Sequence, residues 1–319
     1  MLKTGMLLLA GLVAFCAPAL AQNYPDRPVT IIVGFGKGGP DTNARLLAAQ
    51  LNSQTGGNFV VENKPGAGGL IGAEAVIQAP HDGYTLLMTS AALATLPALH
   101  KKLSFDPLKD FVPISLIARS EASFLIASPT LDVKNLQEFI AYTKSNPVTY
   151  GSSGIGSSSH LRMAMFAAAN KLEMTHLPFK STGDSLASVM NGETQALFVT
   201  ASQAIPFIKE NKVRALAYDN DTRASFLPDV PTLQEGGATP TGMDSGWNGL
   251  LAPTGTPPEV IAWLEREVQS AIANPEVRAK IEALGLIPVG GNSAEFAQTL
   301  ATAVDRMGAA VEVAGIKPQ

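Results

Sequence analysis

Val29-Thr-Ile-Ile-Val-Gly-Phe-Gly-Lys-Gly-Gly39 decides the fold. Its first five residues are all β-branched, four of them apolar, and closed off by glycine, which predicts a buried strand. A glycine-rich turn follows. Ala44, Leu47, Ala48 and Leu51 then recur at helical spacing and predict a helix over 41–54. The same unit comes again. Phe59-Val-Val61 predicts a second strand, Lys64-Pro-Gly-Ala-Gly-Gly69 a second turn, and 71–79 a second helix. Asp82-Gly83 turns the chain into a third strand, Tyr84-Thr-Leu-Leu-Met88. Strand and helix alternating in this way build a mainly parallel sheet flanked by helices.

Beyond residue 114 the pattern changes to a long extended run over 114–127, expected to be one strand crossing between two lobes. Asn135 with Glu138 three residues on predicts a helix cap. Strands over 148–150, 175–179, 196–199 and 213–218, with helices over 160–170 and 204–210, repeat the α/β plan. Thr256-Pro-Pro-Glu259 predicts a helix start with Thr256 as cap. A last helix is expected over 294–307, packing with its neighbours on the first lobe. The expected division is therefore a leader, 1–21, a discontinuous first lobe, 22–122 and 227–319, and a second lobe, 123–226. A length of 319 residues fits two domains.

The leader reads as a secretory signal: Lys3, an apolar run over 6–17, then Ala19-Leu-Ala21 ahead of Gln22. The apolar run is too short to favour a membrane anchor. Cleavage after Ala21 removes the only cysteine, Cys16, and with it any disulfide or thiol chemistry. Phe15 before Cys16 argues against a lipid-modified cysteine, which wants a small residue there. Losing Lys3 moves the formal net charge from −4 to −5. A mildly acidic chain without a basic run is a poor nucleic-acid partner. His81, His100, His160 and His176 show no metal-site spacing, so no metal is expected.

Gly34 to Gly39 is formally G-x-G-x-x-G, with Glu62 at the end of the next strand, where a dinucleotide fold places its ribose-binding acid. The physics beneath that motif is broader. Glycines let backbone N–H groups approach an anion, and a helix N-terminus adds partial positive charge, so a carboxylate suits it equally. An ordinary tight turn would read the same. The second rich stretch, Gly151-Ser-Ser-Gly-Ile-Gly-Ser-Ser-Ser159, offers hydroxyls between a strand and a helix. It lacks the G-x-S-x-G elbow of a serine hydrolase. Ser90-Ala91 and Thr200-Ala-Ser202 place further small polar groups at strand C-termini, where open α/β sheets collect ligands.

Tyr24-Pro-Asp-Arg-Pro28, Val61-Glu-Asn-Lys-Pro-Gly-Ala-Gly-Gly69, Asp82-Gly-Tyr-Thr-Leu86, Tyr150-Gly-Ser-Ser-Gly154, His176-Leu-Pro-Phe-Lys180, Leu227-Pro-Asp-Val-Pro-Thr232 and Ala252-Pro-Thr-Gly-Thr-Pro257 occur in this order. Together they resemble the Bug family, the extracytoplasmic solute receptors of tripartite tricarboxylate transporters. The resemblance spans nearly the whole chain after the leader. It implies a two-lobed, periplasmic-binding-protein-like fold with the ligand cleft between the lobes. It also implies a small carboxylate, a mono- or dicarboxylate with aromatic acids included, held by backbone amides. Carried over by position, the ligand loops are Phe35, Gly36, Gly38, Gly39 and Asp41; Ser90 and Ala91; Ser152, Ser153, Gly156, Ser157 and Ser158; and Thr200, Ala201 and Ser202. The sequence departs from the family pattern at Gly34, Lys37, Arg162, Gln195 and Val199, and the stretch 39–44 is one residue short. Lys37 and Arg162 are read as charge partners for ligand carboxylates.

These readings combine into a periplasmic, monomeric receptor without cofactor, handing its ligand to membrane permease subunits, and not an enzyme. The alternatives are a ligand-sensing co-receptor for a signalling system and an exported nucleotide-cofactor enzyme.

Overall fold

The computed structural model describes residues 24–36, 39–243 and 245–318. The leader with its cleavage point, Lys37 and Gly38 lie outside them. β1 (Val29–Val33) is the buried strand that its composition predicts. It pairs in parallel with β2 (Phe59–Asn63) and β3 (Thr85–Ser90). The connections are α1 (Gly39–Thr55) and α2 (Leu70–Ile77). β4 (Phe111–Ser120), β10 (Trp247–Pro253) and β11 (Leu286–Pro288) extend the sheet in antiparallel pairing, giving the order β11-β4-β10-β3-β1-β2.

Two apolar layers sandwich this sheet. On one face Ile31, Val33, Leu86 and Met88 meet Leu47 and Leu51 of α1 and Leu264 and Val268 of α8 (Pro258–Ala273). On the other, Ile32, Leu87 and Trp247 meet Phe296, Leu300 and Met307 of α10 (Ser293–Val313). Fully burying a leucine or phenylalanine is worth about 1.5–3 kcal/mol, so both layers hold the C-terminal helices to the first sheet. α10 starts on a capping box, with Asn292 and Glu295 each satisfying a backbone N–H of the other.

The second sheet has the order β7 (Thr175–Pro178), β6 (Thr149–Ser152), β8 (Ala196–Thr200), β5 (Ser123–Ala127), β9 (Arg214–Tyr218). β6 pairs in parallel with β7 and β8, and β5 is antiparallel to β8 and β9. Helices α4 (Leu136–Ser145), α5 (Ser158–Ala169), α6 (Thr182–Met190) and α7 (Ala201–Lys209) flank it. Phe139, Phe166 and Phe198 fill one core layer, and Phe124, Val189 and Leu197 the other.

Three expectations are corrected. The extended run over 114–127 is two strands in two different sheets, β4 and β5, parted at Glu121–Ala122. The boundary expected at 227 comes too early. Leu227 and Val230 pack on one core of the second lobe, and Leu233 and Ala238 belong to the other. Leu233 N–H donates to the Tyr218 carbonyl at 3.1 Å. First-lobe packing resumes only at Met243 and Trp247. Finally, Thr256 does not cap α8. Its hydroxyl donates to the Pro253 carbonyl at 2.8 Å to close a buried turn, and Pro257 takes the cap position.

Candidate functional site

The two glycine-rich turns of the first lobe pack on each other. A Cβ on Gly72 would stand 2.6 Å from Gly34 Cα, and one on Gly34 would stand 2.9 Å from Gly69 Cα. Only glycine permits this approach, so part of the glycine pattern serves backbone packing. The effect is to clamp residues 34–36 at the C-terminal end of β1, with the Phe35 ring against Gly69. α1 begins at Gly39 immediately beyond, so its unpaired N–H groups lie at the same end of the sheet.

In the second lobe, Ser157 caps α5, its Oγ accepting from His160 N–H at 3.3 Å. Ser157 Oγ also donates to the Gly154 carbonyl at 2.7 Å. His160 folds back beneath the loop, and its Nδ1 accepts the Gly156 N–H at 3.1 Å. His160 stacks on His176 with ring centroids 3.7 Å apart, and His176 Nε2 is 2.6 Å from Ser152 Oγ. Burial, and secondarily the neighbouring His176, pushes His160 down to about 4; burial lowers His176 as well. Both rings are therefore neutral at pH 7, as an accepting Nδ1 requires.

A cavity of about 940 Å³ opens between these parts. Phe35, Gly36, Gly39 and Pro40 line it from the first lobe, and Ile155, Gly156, Ser157 and Ser158 from the second. Ser90 and Ala91 line it at the end of β3, where the Ser90 hydroxyl accepts from Ala92 N–H at 3.3 Å. Two helix N-termini, of α1 and α5, thus border one cavity from opposite lobes. Each end carries about half a positive charge. No Asp or Glu is among the described lining residues, and the ionisable side chains there are His100 and Lys317. Trp247 and Asn248 form part of the wall; the Trp247 indole N–H is buried without a hydrogen-bond partner.

Other expected ligand residues lie away from the cavity wall. Asp41 is buried, bonded to Arg45 at 2.9 Å and accepting from Asn63 Nδ2 at 2.8 Å, which ties α1 to β2. Ser152 is fully buried on His176, and Ser153 N–H donates to Ser159 Oγ at 3.1 Å. Thr200 precedes α7, Ala201 is in the core, and Ser202 lies against Gly285. Arg162 is the clearest departure. It is 2% exposed, and its guanidinium pairs with Asp219 and donates to the Met243 carbonyl at 3.2 Å. Lying on the inward face of α5 with Phe166, it is used to hold the return crossover. Glu62, the ribose-acid position of the dinucleotide reading, is ion-paired with Lys64 at 3.1 Å and does not line the cavity.

Against known proteins, residues 43–316 match the model of the tripartite tricarboxylate transporter family receptor. The chain belongs to this receptor family. Protein BugT of Bordetella pertussis is 32% identical over 306 residues, across 94% of this chain and 93% of the relative. MatC from Rhodopseudomonas palustris, solved with bound malate, is 32% identical with a TM-score of 0.71, covering 90% of this chain and 100% of that one. An R. palustris protein solved with adipate is 29% identical with a TM-score of 0.75, covering 93% and 100%. Membership of the tripartite tricarboxylate transporter receptors makes this chain a binding protein, not an enzyme, with the two-lobed α/β architecture described above.

Proposed function

We propose that this chain is a periplasmic receptor that captures a small carboxylate between its lobes and presents it to the membrane permease subunits of a tripartite transporter. The observation that carries the reading is the pair of helix N-termini, one per lobe, on a cavity whose described residues include no acid. A carboxylate bridging them takes backbone donors from both sides, which favours closure. Relatives solved with malate and adipate support this ligand class. Phe35, Gly36, Gly39, Ser90, Ala91, Gly156, Ser157 and Ser158 are the residues assigned to contact it. The leader is removed after Ala21, so the mature chain starts at Gln22 and its intact mass reports the cut.

A thermal-shift panel of dicarboxylates, aromatic acids, acidic amino acids and neutral analogues tests the reading. A ligand at a hundred times its Kd adds about 2.7 kcal/mol to the folded state. Acids are expected to raise the melting temperature, and a response confined to neutral compounds refutes the carboxylate assignment.

A further inference from the structure

The carboxylate reading accounts for only part of the cavity wall. An apolar stretch of the same wall, beginning beside Gly156, is formed by Leu96 and Leu99 of α3 (Leu96–Leu99), Leu161 of α5, and Met307 of α10. It is completed by the last turn of the chain. α10 ends at Val313; Gly315 then takes a left-handed conformation, φ +66°. Gly315 N–H donates to the Glu312 carbonyl at 2.9 Å and Ile316 N–H to the Val311 carbonyl at 3.1 Å. This glycine-terminated cap reverses the chain. It lays Ile316 on the first-lobe core and puts both Ile316 and Lys317 on the cavity wall.

The lobes also meet along this stretch. A Cβ on Gly156 would stand 3.5 Å from Leu99 Cδ1, and Leu161, with Met165 half-buried beside it, packs into a core cluster whose other members come from the first lobe. The apolar wall is therefore continuous across both lobes.

Resting on the carboxylate reading, we propose that the C-terminal turn is a specificity element that makes the receptor select elongated acids. The carboxylate head sits at the glycine and serine loops, and an apolar body extends along Leu96, Leu99, Leu161, Met307 and Ile316 toward Lys317. Magnitudes decide which part dominates. Each methylene moved from water to an apolar wall raises affinity about fourfold. A solvent-exposed ammonium meeting a distal carboxylate raises it only a few-fold. Chain length is thus the main discriminator, and Lys317 adds a smaller preference for a second acidic group.

Isothermal titration with straight-chain carboxylates from butanoate to nonanoate tests this. Affinity is expected to climb about fourfold per methylene over the first additions. Ile316→Asn is expected to flatten that slope. Lys317→Met is expected to lower affinity for α,ω-diacids relative to monoacids of equal length by a few-fold. Should Ile316→Asn fail to fold, as judged by its unliganded melting transition, Leu99→Ser carries the same measurement. Equal affinity for short and long acids overturns the inference and leaves the receptor reading standing. No binding by any acid, short or long, overturns the receptor reading itself.

Discussion

Arg162 shows why a single side chain resists assignment from sequence. A cation near a serine-rich loop suggests an anion partner, yet a guanidinium buried on a helix face needs a fixed carboxylate, and Asp219 supplies it from the end of β9. Removing one member leaves the other charge buried and uncompensated. Arg162→Met should therefore cost about 3–5 kcal/mol of stability, read from urea unfolding. Loss of less than about 1 kcal/mol would refute the structural role, and Arg162→Met combined with Asp219→Leu should recover part of the loss. His160 gives a second prediction. Its affinity for protons falls on folding, from an ordinary 6.5 to about 4, chiefly through burial. Between those values the unfolded chain binds the proton more readily, so stability declines as pH falls from about 6.5 to about 4. His160→Gln should weaken that decline; an unchanged pH profile of the urea midpoint would exclude His160 as the group responsible. The histidine stack itself was invisible in the sequence, since His160 and His176 lie on different elements and meet only because β6 and β7 are neighbours.

At the scale of elements, local patterns were readable wherever burial imposes a period. β1, β2, β3 and their helices followed from apolar spacing and glycine punctuation. The cavity-lining residues 35, 36, 39, 90–91 and 156–158 were named through the family resemblance, and they lie in the loops between strands and the helices that follow. What escaped depends on long-range packing. The break between β4 and β5 is not marked by glycine or proline, and the segment over 227–241 has no periodicity to show which core it joins. The last turn escaped too, because one left-handed glycine, not an apolar repeat, brings Ile316 and Lys317 to the cavity. The clamp between α2 and the first loop is open to test. In Gly72→Ala the new methyl would meet the Gly34 backbone, which cannot move aside like a flexible side chain. A destabilisation of about 1–3 kcal/mol is expected, with weaker ligand binding as residues 34–36 shift. Wild-type affinity in this variant would show that the clamp does not position the loop.

The whole molecule is two sheets, each with a core on both faces, joined by two crossings, one after β4 and one before β10. They run side by side. Trp247 pairs with Arg119, and Ser120 N–H donates to the Gly246 carbonyl at 2.6 Å. Binding that draws the lobes together should reduce the radius of gyration in small-angle scattering; identical curves with and without saturating ligand would refute closure. Because the crossings are adjacent and bonded, they act like paired pins on one edge of a door. Sideways sliding would break that edge, so a swing about it is the motion expected of the lobes. On that closure, the size of the cargo would set how far the door shuts, and the outer faces of the two halves would tilt accordingly. A membrane partner touching both faces at once could gauge the cargo by that tilt without ever reaching into the cleft.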